Sequence, residues 1–224
     1  MTSYWWTPAP EVAQLIAVDS GRMSERKARL LGVAFASDIV NFVAEPEIRD
    51  GIAIAERFAD GLATDDERRD ARNRAEKSIP DYWNYRGALP FEVIRHSYSA
   101  VAGLNYRDIL PNLTDAVRDA RSALISMAEQ SQEGFYRNRL ERLLIDEIFA
   151  LLFRPVALDP RWLSASVLDL SCAIYEERAF ERMPILADAL MDAGCDNDDI
   201  LNHCRGDGPH VRGCWVVDLL LGKE

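Results

Sequence analysis

The sequence predicts an all-α protein, an irregular multi-helix bundle with a small helical C-terminal module. Three observations lead there. Apolar residues recur every three to four positions in successive stretches. Ser, Thr, Asp, Asn or Pro stands where those stretches begin, and Gly where most of them end. No stretch alternates apolar and polar residues as a half-buried strand must, and Asp50-Gly51, Asp60-Gly61 and Asp207-Gly208 fall at helix edges or in loops rather than between apolar runs. Over 224 residues, 48% hydrophobic and 28% charged content supplies an ordinary globular core.

Residues 1–22 form an aromatic lead-in with Trp5 and Trp6, then a short run of Val12, Leu15 and Ile16, closed by Gly21. Ser24 is a good N-cap for a stripe of Ala28, Leu31, Phe35, Ile39 and Phe42, with Glu25, Arg26, Lys27 and Arg29 opening the exposed side. Pro46 suits the first turn of a helix carrying Ile48, Ile52, Ala55 and Ala59, stopped by Gly61. Thr64 and Glu67 form a capping box, each side chain answering the other's backbone N–H. The helix that they open, through about Ser78, is polar almost all round and reads as solvent-facing.

An aromatic connector, residues 80–90, leads to a helix from Phe91 to about Gly103; Tyr82, Trp83, Tyr85 and Phe91 read as packing that connector onto the bundle. Thr114 caps a run from Asp115 with Val117, Leu124, Ile125 and Ala128, which breaks near Gly134 and resumes from Leu140 to Leu152. The prolines of Phe153–Pro160 bias their predecessors away from helix. That stretch marks a boundary between an N-terminal helical bundle, 1–152, and a C-terminal helical module, 153–224, packed against it.

In the C-terminal module, Ser164 or Ser166 starts a helix with Leu168, Cys172 and Tyr175 on one face. Pro184 opens the next, with Ile185, Leu186, Ala189 and Leu190, ending at Gly194. Asp196 or Asn197 caps a short helix through His203 or Cys204, residues 206–208 turn, and Pro209 suits the first position of a final helix ending near Gly222. Trp215, among Val216, Val217, Leu219 and Leu220, belongs inside.

The segments FRPVALDPRWL (153–163), YEERAFERMPILADALMDAGCDNDDILNHCRG (175–206) and PHVRGCWVVDLLLGKE (209–224) resemble the C-terminal part of a large paralogous family of planctomycete proteins. SERKARLLGVAFASDI (24–39) and AERFADGLATDDERRDAR (55–72) are similar to that family's N-terminal part. The resemblance implies no particular activity. Members often carry a cysteine-rich patch where this chain reads Gly32-Val33-Ala34-Phe35-Ala36-Ser37, so a role for N-terminal cysteines does not transfer.

Charge narrows the function classes. Asp plus Glu outnumber Lys plus Arg by 37 to 26, a net charge of −11 that repels phosphate backbones and anionic membranes. The arginines at 68, 69, 72 and 74, and at 118, 121, 137, 139 and 142, are threaded with acidic residues and read as ion-paired faces rather than a nucleic-acid patch. No secretory signal or apolar run of membrane-spanning length is present, which points to the cytoplasm. Nucleotide-binding glycine loops, a nucleophile elbow and H-E-x-x-H are missing, and no catalytic residue is assigned. Glu92 and His96 stand four apart and read as a surface pair, since di-iron helices space Glu and His by three.

The chemistry that remains lies near the C-terminus, where Cys195, His203, Cys204, His210 and Cys214 crowd together. Zinc takes thiolate and imidazole ligands, and a final helix starting near Pro209 sets His210 and Cys214 on one face. Cys195, Cys204, His210 and Cys214 are therefore the candidate zinc ligands. The absence of any C-x-x-C pair leaves the bland alternative of a buried thiol cluster with helix-end histidines. A thiol nucleophile, Cys204 or Cys214 beside His203 or His210, uses the same residues. Two functions follow: a non-enzymatic helical scaffold or interaction module that presents helix faces to a protein partner, and a zinc-binding or thiol-dependent protein centred on this cluster.

Overall fold

The computed structural model describes residues 23–41, 43–81, 83, 85–87, 89, 91–128, 143–151 and 155–223. Regular structure among the described residues is helical throughout, without a strand, so the chain is all-α. None of these helices is long and apolar enough to cross a membrane. The lead-in with Trp5 and Trp6 and the break near Gly134 lie outside the described residues. Two compact units divide the chain at 142/143. The helix at residues 143–151 therefore falls in the second unit, and its Ala150 joins that unit's core, ahead of the proline-rich stretch where the sequence sets the boundary.

In the first unit, α1 (Glu25–Ser37) starts at Ser24, whose hydroxyl accepts from the Lys27 N–H at 3.1 Å. Helices α2 (Pro46–Ala59) and α3 (Asp65–Ser78) follow, the latter opened by the capping box, with Thr64 N–H donating to Glu67 Oε2 at 2.7 Å and Glu67 N–H to Thr64 Oγ1 at 3.2 Å. Helix α4 (Phe91–Leu104) packs on all three and most extensively on α5 (Ile109–Ala128). That last helix starts five residues ahead of Thr114 (109 against 114): Pro111 falls in the first turn, where its missing N–H costs nothing, and the Glu25 carboxylate of α1 accepts the Ile109 N–H at 3.2 Å.

Two arginines depart from the sequence reading. Arg29, assigned to the exposed side, is 2% exposed; its guanidinium donates to the carbonyls of Leu104, Tyr106 and Arg107 and lies 5.0 Å over the Phe58 ring. Arg68 is buried from the polar helix α3, donating to the Asn105 carbonyl and pairing with Asp65 at 2.9 Å. With Ala71 and Ala75 it gives α3 an inner face that hydropathy alone hides. His96 does stand beside exposed Glu92, Nε2 to carboxylate at 3.6 Å, but its ring is buried and its Nδ1 lies 2.9 Å from the Asp119 carboxylate. Trp83 stands 78% exposed, while Tyr85 and Phe91 meet edge to face.

The second unit begins with residues 143–151, here α6, and continues with α7 (Ala165–Glu177), α8 (Met183–Asp192), α9 (Asp198–Arg205) and α10 (Trp215–Leu221). Ser164 caps α7, accepting from Val167, and Asn197 caps α9, accepting from Ile200 at 3.1 Å. One apolar cluster joins them, built on Trp162, Ile174, Leu186, Ile200, Trp215 and Val217.

Candidate metal centre

Three of the four cysteines sit in this second core, and each is placed by a different local rule. Gly194 closes α8 at φ +85°, its N–H bonded to Met191 O at 2.9 Å, while Cys195 N–H reaches back to Leu190 O at 2.9 Å. That pair is a Schellman cap, whose second residue beyond the helix turns inward against the last turn. Cys195 is thus a packing residue, 5% exposed. Cys204 lies on the inner stripe of α9 with Ile200 and Leu201 and has no exposure. Neither takes part in the cluster of metal-type donors described next, so the sequence-derived set of Cys195, Cys204, His210 and Cys214 comes together only in its last two members.

Four donors do converge, two of them outside that set. Glu147, His203, His210 and Cys214 each bring one ligand-type atom to within 4.8 Å of the rest. Glu147 comes from the buried face of α6 and is 4% exposed. His203 is one residue from Cys204 on α9, about 100° around the helix, so it flanks the stripe that buries the thiol. His210 and Cys214 come from the loop between α9 and α10. The last helix starts at Trp215, not near Pro209, so these two share a turn rather than a helix face. Two features shape that loop. Gly208 sits at φ +80°, where an added Cβ would meet His210 N at 2.7 Å. Arg212 then pins the loop to the C-terminal end of α7, donating to Tyr175 O and Glu176 O at 3.2 Å each with its guanidinium over the Tyr175 ring.

The hydrogen bonds have one direction. An indole N–H can only donate, so Trp215 Nε1, 3.0 Å from His203 Nδ1, makes that nitrogen the acceptor and leaves the ring proton on Nε2. His203 Nε2 lies 3.2 Å from Cys214 Sγ and 3.3 Å from Glu147 Oε2. The Cys214 thiol in turn bonds the Glu147 carboxylate. His210 places Nδ1 3.2 Å from Glu147 Oε1 and Nε2 3.2 Å from Gly206 O, so both ring nitrogens face acceptors. Burial pulls the His210 pKa down, but its bond to Glu147, that carboxylate's charge and the Gly206 carbonyl outweigh burial and raise it. Burial drives the Cys214 thiol well above its ordinary range, with the Glu147 charge next; the N–H groups of Val217 and Val216 oppose this and lose. Cys204 is pushed up to about 12, by burial first and Glu147 second.

This arrangement can hold a cation: a carboxylate, two imidazoles and a thiol surround one point. It is poorly built for thiol catalysis. A nucleophilic cysteine needs a lowered pKa and a base with a free lone pair, whereas His203 presents an N–H to the sulfur and Cys214 is strongly protonated. Sequence reasoning missed Glu147 as a candidate ligand, and its one signal was an acid between Leu144 and Ile148 on an otherwise apolar stripe. No protein-family model, no curated protein and no solved structure matches the chain.

Proposed function

We propose that residues 143–224 form a zinc-binding module whose ion sits among Glu147, His203, His210 and Cys214. The observation that carries this reading is the convergence of four ligand-type atoms from two helices and a loop within 4.8 Å. Zinc favours this donor chemistry. Bonds of about 2.0–2.3 Å to a tetrahedral ion separate neighbouring ligand atoms by roughly 3.3–3.8 Å. The separation of 3.2 Å between His210 Nδ1 and Glu147 Oε1 is close to such an edge. Such an ion would tie α6 to the loop between α9 and α10, far along the sequence from it, and fix the helix faces that a scaffold presents to a protein partner.

The test is the metal content of protein purified without a polyhistidine tag. About one equivalent of zinc is expected, lost in Cys214→Ser and in His210→Ala. Metal-free wild-type protein that keeps its full helical content and takes up no zinc on titration would refute the reading.

A further inference from the structure

Resting on that zinc reading, the geometry points to a division of labour among the four residues. We propose that Cys214, His210 and Glu147 bind the ion, that His203 donates a hydrogen bond to the Cys214 sulfur without touching the metal, and that the fourth coordination position belongs to an exchangeable water.

A histidine that ligates through one ring nitrogen carries its proton on the other, which donates to a carboxylate, carbonyl or water. His210 meets that rule. With Nδ1 on the ion, its Nε2–H keeps the Gly206 carbonyl at 3.2 Å. His203 does not meet it. Its second nitrogen, Nδ1, faces the Trp215 indole N–H at 3.0 Å, a group that cannot accept. Ligation through Nε2 would then require an imidazole without any proton, so Nε2 keeps its hydrogen. The nearest acceptor of suitable geometry is Cys214 Sγ at 3.2 Å. Turning the ring over does not rescue ligation, because it would set carbon atoms against both Trp215 and Cys214. Trp215 is 4% exposed and His203 tilts against it with ring centroids 5.0 Å apart, so the indole is fixed by the core that it fills. His203 is therefore a positioning residue.

Three protein ligands with an open fourth position are the pattern of catalytic rather than structural zinc. The opening has somewhere to lead. A cleft of about 180 Å³ reaches Glu147, His203 and His210 from solvent, and Asp146, Asn202 and Asp207 also line it. Cys214, 1% exposed, lies away from it. Two carboxylates at the mouth disfavour anions, which leaves water and small neutral donors as the class of ligand for the open position.

Zinc X-ray absorption on the wild-type protein tests this directly. Expected are one sulfur and one imidazole per zinc, with the remaining donors oxygen; two imidazoles per zinc overturn the proposal. In the cobalt(II) form, free imidazole should perturb the visible d–d bands by entering the open position, and bands indifferent to imidazole would overturn it as well. His203→Ala should still take up one cobalt, with affinity lowered by less than about 100-fold and the sulfur-to-cobalt band moved to longer wavelength as the sulfur loses its donor. Folded His203→Ala that binds no cobalt would show His203 to be a ligand. Should wild-type protein bind neither ion, the zinc reading itself falls. A loaded site with two imidazoles removes only the present inference.

Discussion

The cysteines show how little a residue's type says about its role. Cys172 is exposed on α7, whereas Cys195, Cys204 and Cys214 are buried, the first at a helix cap, the second in a helix stripe and the third beside a carboxylate. Desolvation raises the pKa of all four, and a thiol reacts through its thiolate, so solvent access is what sets Cys172 apart. In native protein at neutral pH, an alkylating reagent should therefore label Cys172 alone, with the other three labelled only after unfolding. Peptide mapping that finds Cys204 or Cys214 modified in folded protein would show these positions to be open. Arg29 makes the complementary case of a charge kept inside. Burial lowers its pKa to about 10, Glu25 pulling the other way, so it stays charged at neutral pH. Arg29→Met strands the carbonyls of Leu104, Tyr106 and Arg107 and should cost roughly 3–5 kcal/mol. Arg29→Lys should recover less than half, because a single ammonium nitrogen does not span the acceptors that the guanidinium reaches from Nη1 and Nη2. Urea unfolding of the two variants reads both outcomes.

Helix by helix, the sequence was most legible where local chemistry decides. Ser24 and Thr64 cap the helices at which they were expected, and Ser164 and Asn197 are the caps from the two pairs left open, because a side chain that accepts a free N–H acts within three residues. The Thr64–Glu67 box is solvent-exposed and fully formed, so Thr64→Ala should lower stability by about 1 kcal/mol, read from the denaturant midpoint. An unchanged midpoint would mean that α3 is held entirely by Arg68, Ala71 and Ala75. Sequence was least legible where tertiary partners override spacing. The start of α5 at Ile109 is held in part by Glu25 from another helix, beside the one local signal of Pro111 in the first turn. The candidate site shows the same limit. His210 and Cys214 were found because they are close in sequence, but they meet in a loop held by Arg212 and Gly208 rather than on a helix. His203 was named in the cluster but left out of the ligand set in favour of Cys204, and Glu147 lies in a different helix altogether. Fold class depends on many weak local signals that agree, whereas a site depends on a few side chains brought together by the core.

Across the whole molecule, net charge sets the background against which any metal site must be judged. At −11 the protein gathers cations loosely over its surface, so excess zinc should bind in more than one equivalent at low salt. Screening separates the two kinds of binding. At about 0.5 M salt the surface equivalents should wash away, leaving one, because exposed attractions fade beyond a Debye length while buried ligands are hardly screened. Proton linkage identifies the remaining equivalent. Its ligands must lose their protons to the ion, and the raised pKa values of Cys214 and His210 mean that both hold a proton in metal-free protein below the folded pKa of His210. Apparent zinc affinity should therefore climb with pH, by about 100-fold per unit while both protons are displaced. It should then climb about tenfold per unit once His210 has titrated, above its ordinary value of 6.5. That second slope should persist past pH 9, since only Cys214 is left to deprotonate and its pKa lies well above the ordinary 9.0. Competition against a chelator of known proton affinity measures both slopes. Affinity that levels off near neutral pH would mean that no buried thiol gives up its proton, and would remove Cys214 from the site.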